Sequence, residues 1–173
     1  MVINILRLGH RIVRDKRITT HICLVARAFG ANKIILSGEY DPSILNSIKK
    51  VNENWGGEFE IEYKKKWSDV IKEHIKQEFC IVHLTMYGEL IQDKIYELQK
   101  NKNLLIVVGG EKVPSEIYKQ ATYNISITNQ PHSEVAALAI FLDKYSNSKE
   151  FDLNFNNAKL KIKPCKAGKE FLI

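Results

Sequence analysis

The sequence predicts an α/β protein: a mostly parallel sheet with helices on both faces. Three observations carry that prediction. Short runs rich in Val, Ile and Leu alternate with longer helical patterns along the chain, which is the rhythm of successive βα units. Cys80-Ile81-Val82-His83-Leu84-Thr85 and Leu104 to Val108 are almost continuously apolar rather than alternating, as strands covered on both faces are. The 173 residues are 45% apolar and 27% charged, ordinary usage for one well-buried domain with a short appendage.

Val2 to Leu8 reads as the first strand, interrupted only by Asn4 and Arg7. A polar loop is expected from Arg7 to Thr19, with Thr20 capping a helix from His21 to Phe29 that stops at Gly30. Lys33 to Ser37 is a strand and Pro42 to Val51 a helix. Trp55-Gly56-Gly57 turns the chain into an edge strand, Phe59 to Tyr63, and Trp67 to Phe79 is helical. The buried strand at 80–85 is followed by a helix to about Lys100, and the strand 104–108 by a helix from Pro114 to about Ala121. Tyr123 to Thr128 is the last strand. It leads into an alanine- and leucine-rich helix for which Asn129 is the expected N-cap, with Pro131 in the first turn. The alternating Lys159-Leu160-Lys161-Ile162-Lys163 fits an added edge strand or a mobile arm.

Composition narrows the function classes. The net charge of +6 favours a polyanionic partner. The charge is concentrated at the ends: Arg7, Arg11, Arg14, Lys16 and Arg17 surround a single acid, Asp15, and six lysines face three acids after residue 146. Such an arrangement suits nucleic-acid phosphates, although lysine-rich runs also serve as solvated surface. Cys23, Cys80 and Cys165 are odd in number and scattered, with no Cys/His spacing of the zinc type, so no metal site is expected and the compartment reads as reducing. No run approaches a membrane span and no signal-peptide pattern is present, so a cytoplasmic location is expected.

Three strand ends are candidates for chemistry: 84–88 (LTMYG), 109–114 (GGEKVP) and 128–134 (TNQPHSE). Ligands of open α/β sheets gather beyond the carboxyl ends of strands, and Gly109-Gly110 would admit positive φ or a close backbone approach. The dinucleotide GxGxxG, the triphosphate GxxxxGK[ST] and the GxSxG elbow are all missing.

The words RLGHRIVRDKRITTH at 7–21, VHLTMYG at 82–88, VVGGEKVP at 107–114 and NQPHSEVAALAIFLD at 129–143 resemble, in this order, the archaeal tRNA (cytidine(56)-2'-O)-methyltransferase family of the SPOUT superfamily. The resemblance spans about residues 1–145; Gly110 stands where the family commonly has Ala.

The resemblance implies a deep C-terminal trefoil knot, a topology that pattern reading would not propose, and S-adenosylmethionine bound in it. Residues 1–146 would form the methyltransferase domain and 147–173 a basic extension. Carried over, the cofactor residues are Leu84, then Gly109, Gly110, Glu111, Lys112 and Val113, then Ile127, Thr128, Asn129, Gln130, Pro131, His132, Ser133 and Glu134. Loops of Gly, Val and Leu suit an adenine slot. The ribose 2'-OH must lose a proton as the methyl arrives; Arg14, Arg17 and Arg27 are the arginine candidates, with His21 a rival base. Arg27 could equally snorkel from a core helix. Arg7, Arg11, Arg14, Lys16 and Arg17 are the expected RNA contacts, joined by Lys64–Lys66 and the tail lysines. Partners would be tRNA and a second copy of the chain, with no membrane. Two other readings share these features: a SPOUT enzyme acting on another RNA position or on a base, and a non-catalytic RNA-binding module.

Overall fold

The structure is a computed structural model that describes residues 1–110 and 112–173. The order is β1 (Val2–His10), α1 (Ile12–Ala28), β2 (Lys33–Gly38), α2 (Pro42–Trp55), β3 (Glu60–Tyr63), α3 (Trp67–Lys76), β4 (Cys80–Leu90), α4 (Ile91–Leu98), β5 (Asn103–Val108), α5 (Ser115–Gln120), β6 (Tyr123–Ser126) and α6 (Glu134–Ser146). A 3-10 turn at Lys149–Asp152 and two short strands, β7 (Ile162–Lys163) and β8 (Glu170–Phe171), complete the chain. The sheet has six strands in the order β3-β2-β1-β5-β4-β6, and every pairing in it is parallel.

The period-2 alternation of the inner strands divides the core. Ile3 and Ile5 of β1 and Leu104, Ile106 and Val108 of β5 meet Ile22 of α1, Ile48 of α2, Leu98 of α4 and Phe141 of α6. Leu6 and Leu8, with Leu105 and Val107, face Val70 and Ile71 of α3 and Ile117 of α5. The expected two-faced parallel sheet is therefore present, because successive strand residues point to opposite faces. Asn4, the polar break in β1, donates from Nδ2 to His74 Nε2 at 3.0 Å, while His74 Nδ1 donates to the Val70 carbonyl at 2.8 Å. Burial there leaves no polar atom of that pair orphaned.

β4 has an unusual relation to β6. Ile125 pairs with both Leu84 and Glu89, so the register breaks across residues 85–88 and β4 bends there against the end of β6. Gly88 sits in the bend, where a Cβ would stand 2.4 Å from the Asn124 carbonyl oxygen. Only glycine allows that approach.

Four local expectations are corrected. The Arg7–Thr19 segment is not a loop: β1 runs to His10 and α1 begins at Ile12. Its first turn is held by groups that local pattern does not reveal, with the Ile12 N–H donating to the Glu39 carboxylate at 2.7 Å. Thr20 does not cap a helix; inside α1 its hydroxyl donates to the Lys16 carbonyl. Asn129 is not the cap of α6, since Ser133 Oγ accepts the Val135 N–H at 3.2 Å and the helix starts at Glu134. In the tail, β7 and β8 form a separate antiparallel pair rather than joining the main sheet. The preceding residues dock on α1 and α2: Phe151 meets Phe29 edge-on, and the Gly57 N–H donates to the Asn156 carbonyl.

Candidate functional site: two adjoining cavities at the strand ends

β1 and β5 are neighbours, but the chain leaves them in opposite directions, β1 through α1 to β2 and β5 through α5 towards β6. Such a reversal opens a crevice beyond the carboxyl ends of the two strands. The end of β1 is shaped for it. The register with β2 shifts between Arg7 and His10, and Gly9 takes a positive φ of 62° there. Gly38 faces the bulge so closely that a Cβ would lie 2.4 Å from the His10 carbonyl oxygen. The buried His10 ring hydrogen-bonds through Nδ1 to Thr19 Oγ1 at 2.9 Å, and its Nε2 lies 3.6 Å from Asp41 Oδ2. The ring thereby ties β1, α1 and the entry to α2 together.

A cavity of about 1130 Å³ fills the crevice. Arg14, Arg17, Ile18 and His21 line it from α1; their i, i+3, i+4, i+7 spacing places all four on one helix face. Arg7 and Arg11 also border it, and Lys112 and Trp67 stand on other walls. Asp15, buried at the start of α1, holds Arg11 Nε at 3.3 Å and Arg14 Nε at 3.5 Å.

A second cavity of about 440 Å³ adjoins the first, sharing Arg14, Ile18, Gly110, Ser133 and Glu134 with it. Leu84, Gly109, Gly110, Val113, Ile127, Pro131, His132, Ser133 and Glu134, all expected cofactor residues, line it together. Of the two roles expected for Gly109 and Gly110, positive φ is not taken, and close approach holds at Gly109. A Cβ on Gly109 would press on Val113 Cγ2 at 2.8 Å and Leu8 Cδ1 at 3.3 Å, whereas one on Gly110 meets nothing within 4 Å. The loop therefore has room for the alanine expected at 110 in relatives. Lys112 borders the larger cavity instead, and Thr128, Asn129 and Gln130 line neither. Asn129 works behind the wall: its Nδ2 donates to the Met86 carbonyl at 2.7 Å and to Ser126 Oγ at 3.2 Å, fastening the third loop to the β4 bend. Glu111 lies outside the described residues.

Two charged residues change role. Arg7, expected at the RNA surface, is 2% exposed. Its Nη2 lies 3.1 Å from Glu134 Oε1 and its Nη1 donates to the Leu8 carbonyl at 2.6 Å, so the guanidinium braces β1 against α6 rather than reaching for phosphate. Burial raises the Glu134 carboxyl above its usual range, against the pull of Arg7. Arg27, read from sequence either as a catalytic candidate or as snorkelling from a core helix, lines neither cavity. It donates to Asn52 Oδ1 and the Gly56 carbonyl and lies 4.6 Å from the centre of the Phe155 ring, a structural bridge to the tail. Lys16 is exposed beside the larger cavity.

Sequence reasoning missed Trp67, His83, Tyr118 and Ile125, all wall residues. His83 sits on the buried β4 run already marked as a motif; Tyr118 and Trp67 carry no local signal beyond being aromatic. His83 Nδ1 faces Asn124 Oδ1 at 2.8 Å, and Asn124 Nδ2 is spent on the Tyr118 carbonyl. His83 Nδ1 is therefore the protonated nitrogen, leaving a bare Nε2 acceptor that is buried without a partner. Burial also holds the imidazole below its ordinary pKa, so it is neutral. Burial pushes the Cys23 thiol up to about 12, which excludes it as a nucleophile. No group of three His, Cys, Asp or Glu able to hold a metal occurs among the described residues.

The fold is that of the SpoU class of methyltransferases. It matches the SpoU methyltransferase AviRb from Streptomyces viridochromogenes in complex with the cofactor AdoMet, with a TM-score of 0.61 and 14% identity over 85% of this chain and 57% of that one. The sequence narrows the class further. A profile described as tRNA ribose 2'-O-methyltransferase, aTrm56, matches residues 55–172. The tRNA (cytidine(56)-2'-O)-methyltransferase of Methanosphaera stadtmanae is 51% identical over 99% of this chain and 98% of its own. That of Thermococcus kodakarensis is 53% identical over 99% and 97%. The chain belongs to the aTrm56 family of tRNA ribose 2'-O-methyltransferases.

Proposed function

We propose that this protein methylates the ribose 2'-OH of cytidine 56 in the T-loop of tRNA, with S-adenosylmethionine as donor. The observation that carries the reading is the shared wall: an apolar, glycine-bordered cavity opens beside a cation-lined one through Arg14, Ser133 and Glu134. A donor in the first and a ribose in the second would meet there. The smaller cavity suits an adenosine, with apolar walls from Leu84, Val113 and Ile127, close backbone at Gly109–Gly110 and the bare Nε2 of His83 as a buried acceptor. When bound, the donor supplies an electrophilic methyl on a positively charged sulfur.

The residues of this chain orient the acceptor and manage its proton. Arg14, Arg17 and His21 are the groups in reach of a ribose at the shared wall; one of them takes or relays the 2'-OH proton while the methyl moves. Arg11 and Lys16 flank that face and grip the phosphates on either side. The register break where β4 meets β6 is compatible with the trefoil knot expected from the resemblance. Exposed Leu24 on α1 and Ile140 on α6, on helices that pack together, are apolar residues a homodimer could cover. No helix of the described residues is long and apolar enough to cross a membrane, in keeping with work on tRNA in the cytoplasm.

Incubation of the protein with unmodified tRNA and labelled S-adenosylmethionine, followed by nucleoside mapping, tests the reading. A single 2'-O-methylcytidine at position 56 is expected. Label on a base, or at another position, would overturn it.

A further inference from the structure

The larger cavity contains one element that neither phosphate binding nor methyl transfer explains. Trp67, the first residue of α3, stands in its wall. It packs against the buried layer that includes Leu6, Leu8, Ile35 and Val70, and the residue is only half-buried. Its neighbours in the wall mix arginines and His21 with aliphatic side chains such as Ile18, Pro114 and Val135, so Trp67 supplies the one broad aromatic face among the described residues that line the cavity. Lys64, Lys65 and Lys66 immediately precede Trp67 in the chain and are all exposed, so the residues that lead into α3 are cationic. The volume of about 1130 Å³ exceeds the roughly 300–1,000 Å³ of ordinary small-molecule sites and admits a nucleotide with its flanking phosphates. A ribose that reaches the shared wall lies inside a concave site and must leave its helical stack. Its base then loses its neighbours and gains most from an aromatic face.

We propose that Trp67 is the stacking platform for the unstacked pyrimidine of the nucleotide being methylated. Taken with the proposed function, on which it rests, this makes the larger cavity a nucleoside site: α1 holds the sugar-phosphate side and α3 supplies the surface for the base. Trp67 is a positioning residue, since the ring fixes the base and so sets the ribose against the donor cavity without touching the reacting atoms.

The test uses the full-length protein and tRNA transcripts carrying either cytidine or an abasic ribose at the methylated position. On the cytidine transcript, Trp67→Ala should lower kcat/KM roughly 5- to 150-fold, the range seen for removing one base–aromatic stack. Trp67→Phe should recover most of that loss, and both variants should bind S-adenosylmethionine as the wild type does. On the abasic transcript the wild type and Trp67→Ala should turn over alike. In a Trp55→Phe background Trp67 is the remaining tryptophan, and its fluorescence should be quenched by the cytidine transcript and not by the abasic one. A Trp67→Ala defect of equal size on both transcripts, a Phe variant as poor as Ala, or fluorescence indifferent to the base would overturn the proposal. Failure of the wild type to methylate tRNA at all would instead overturn the function on which it rests.

Discussion

Arg7 and Glu134, far apart in sequence, meet inside the protein with Nη2 3.1 Å from Oε1. The pair joins β1 to the first turn of α6, and both cavities border Glu134. Arg7 Nε and Glu134 Oε2 are buried without further partners, so the contact is a charge pair at the seam of the site rather than a saturated network.

Breaking this pair on one side leaves a buried charge. Arg7→Met or Glu134→Leu alone should cost about 3–5 kcal/mol, and the double variant clearly less than the sum. Urea denaturation of the single and double variants measures it. Strict additivity would mean the two groups do not interact.

The exposed face of α1 divides into chemistry and grip. Of Arg14→Ala, Arg17→Ala and His21→Ala, the one that removes the proton-handling group should reduce kcat about 10²- to 10⁴-fold, the usual contribution of a positioned acid–base group. Lys16 lines neither cavity. Lys16→Ala should therefore weaken tRNA binding and reduce the salt slope by about 0.7–0.9, the share of a single neutralised phosphate, leaving kcat intact. Single-turnover assays with a salt titration separate the two outcomes; a fall in kcat from Lys16→Ala would merge the roles.

Asn129 acts on the donor cavity indirectly, through its hydrogen bonds to the Met86 carbonyl and Ser126 Oγ. Asn129→Ala should weaken S-adenosylmethionine binding roughly fivefold, as expected for about 1 kcal/mol from one such bond. Calorimetric titration with the demethylated product reads it, and unchanged affinity would detach the loop from the site.

Stability should depend on pH through His83. Burial lowers the pKa of its imidazole in the folded protein, with the Asn124 hydrogen bond acting in the opposite sense. A lowered folded value means that the unfolded chain takes up the proton first. The His83 contribution is then present above the ordinary value of about 6.5 and is lost as pH falls towards the lower folded value. Urea midpoints between about pH 5 and 8 should drop on acidification, and His83→Gln should flatten that drop. A variant curve parallel to the wild type would remove His83 as the cause.

The local pattern of residues was enough to determine the layered α/β architecture, because a strand covered on both faces must be apolar throughout: the runs at 80–84 and 104–108 and both faces of β1 follow from that constraint. The strand-end loops at 84, 109–110 and 131–134 were also legible from the residues, as words matching a known family, and they do converge. The start of α1 was not legible, since its first N–H is met by Glu39 from the end of β2 and no residue before Ile12 announces a cap. Nor was the fate of Arg7 and Arg27, which look alike in sequence to Arg14 and Arg17. Which of the four is buried depends on what the sheet order and the docked tail bring against them: Glu134 for Arg7, Asn52, Gly56 and Phe155 for Arg27. The sequence alone thus settled which residues are apolar and where chains must turn. Only the tertiary structure decided which charges meet a partner and which line the cavity, because an ion pair is formed by proximity in space and carries no period along the chain.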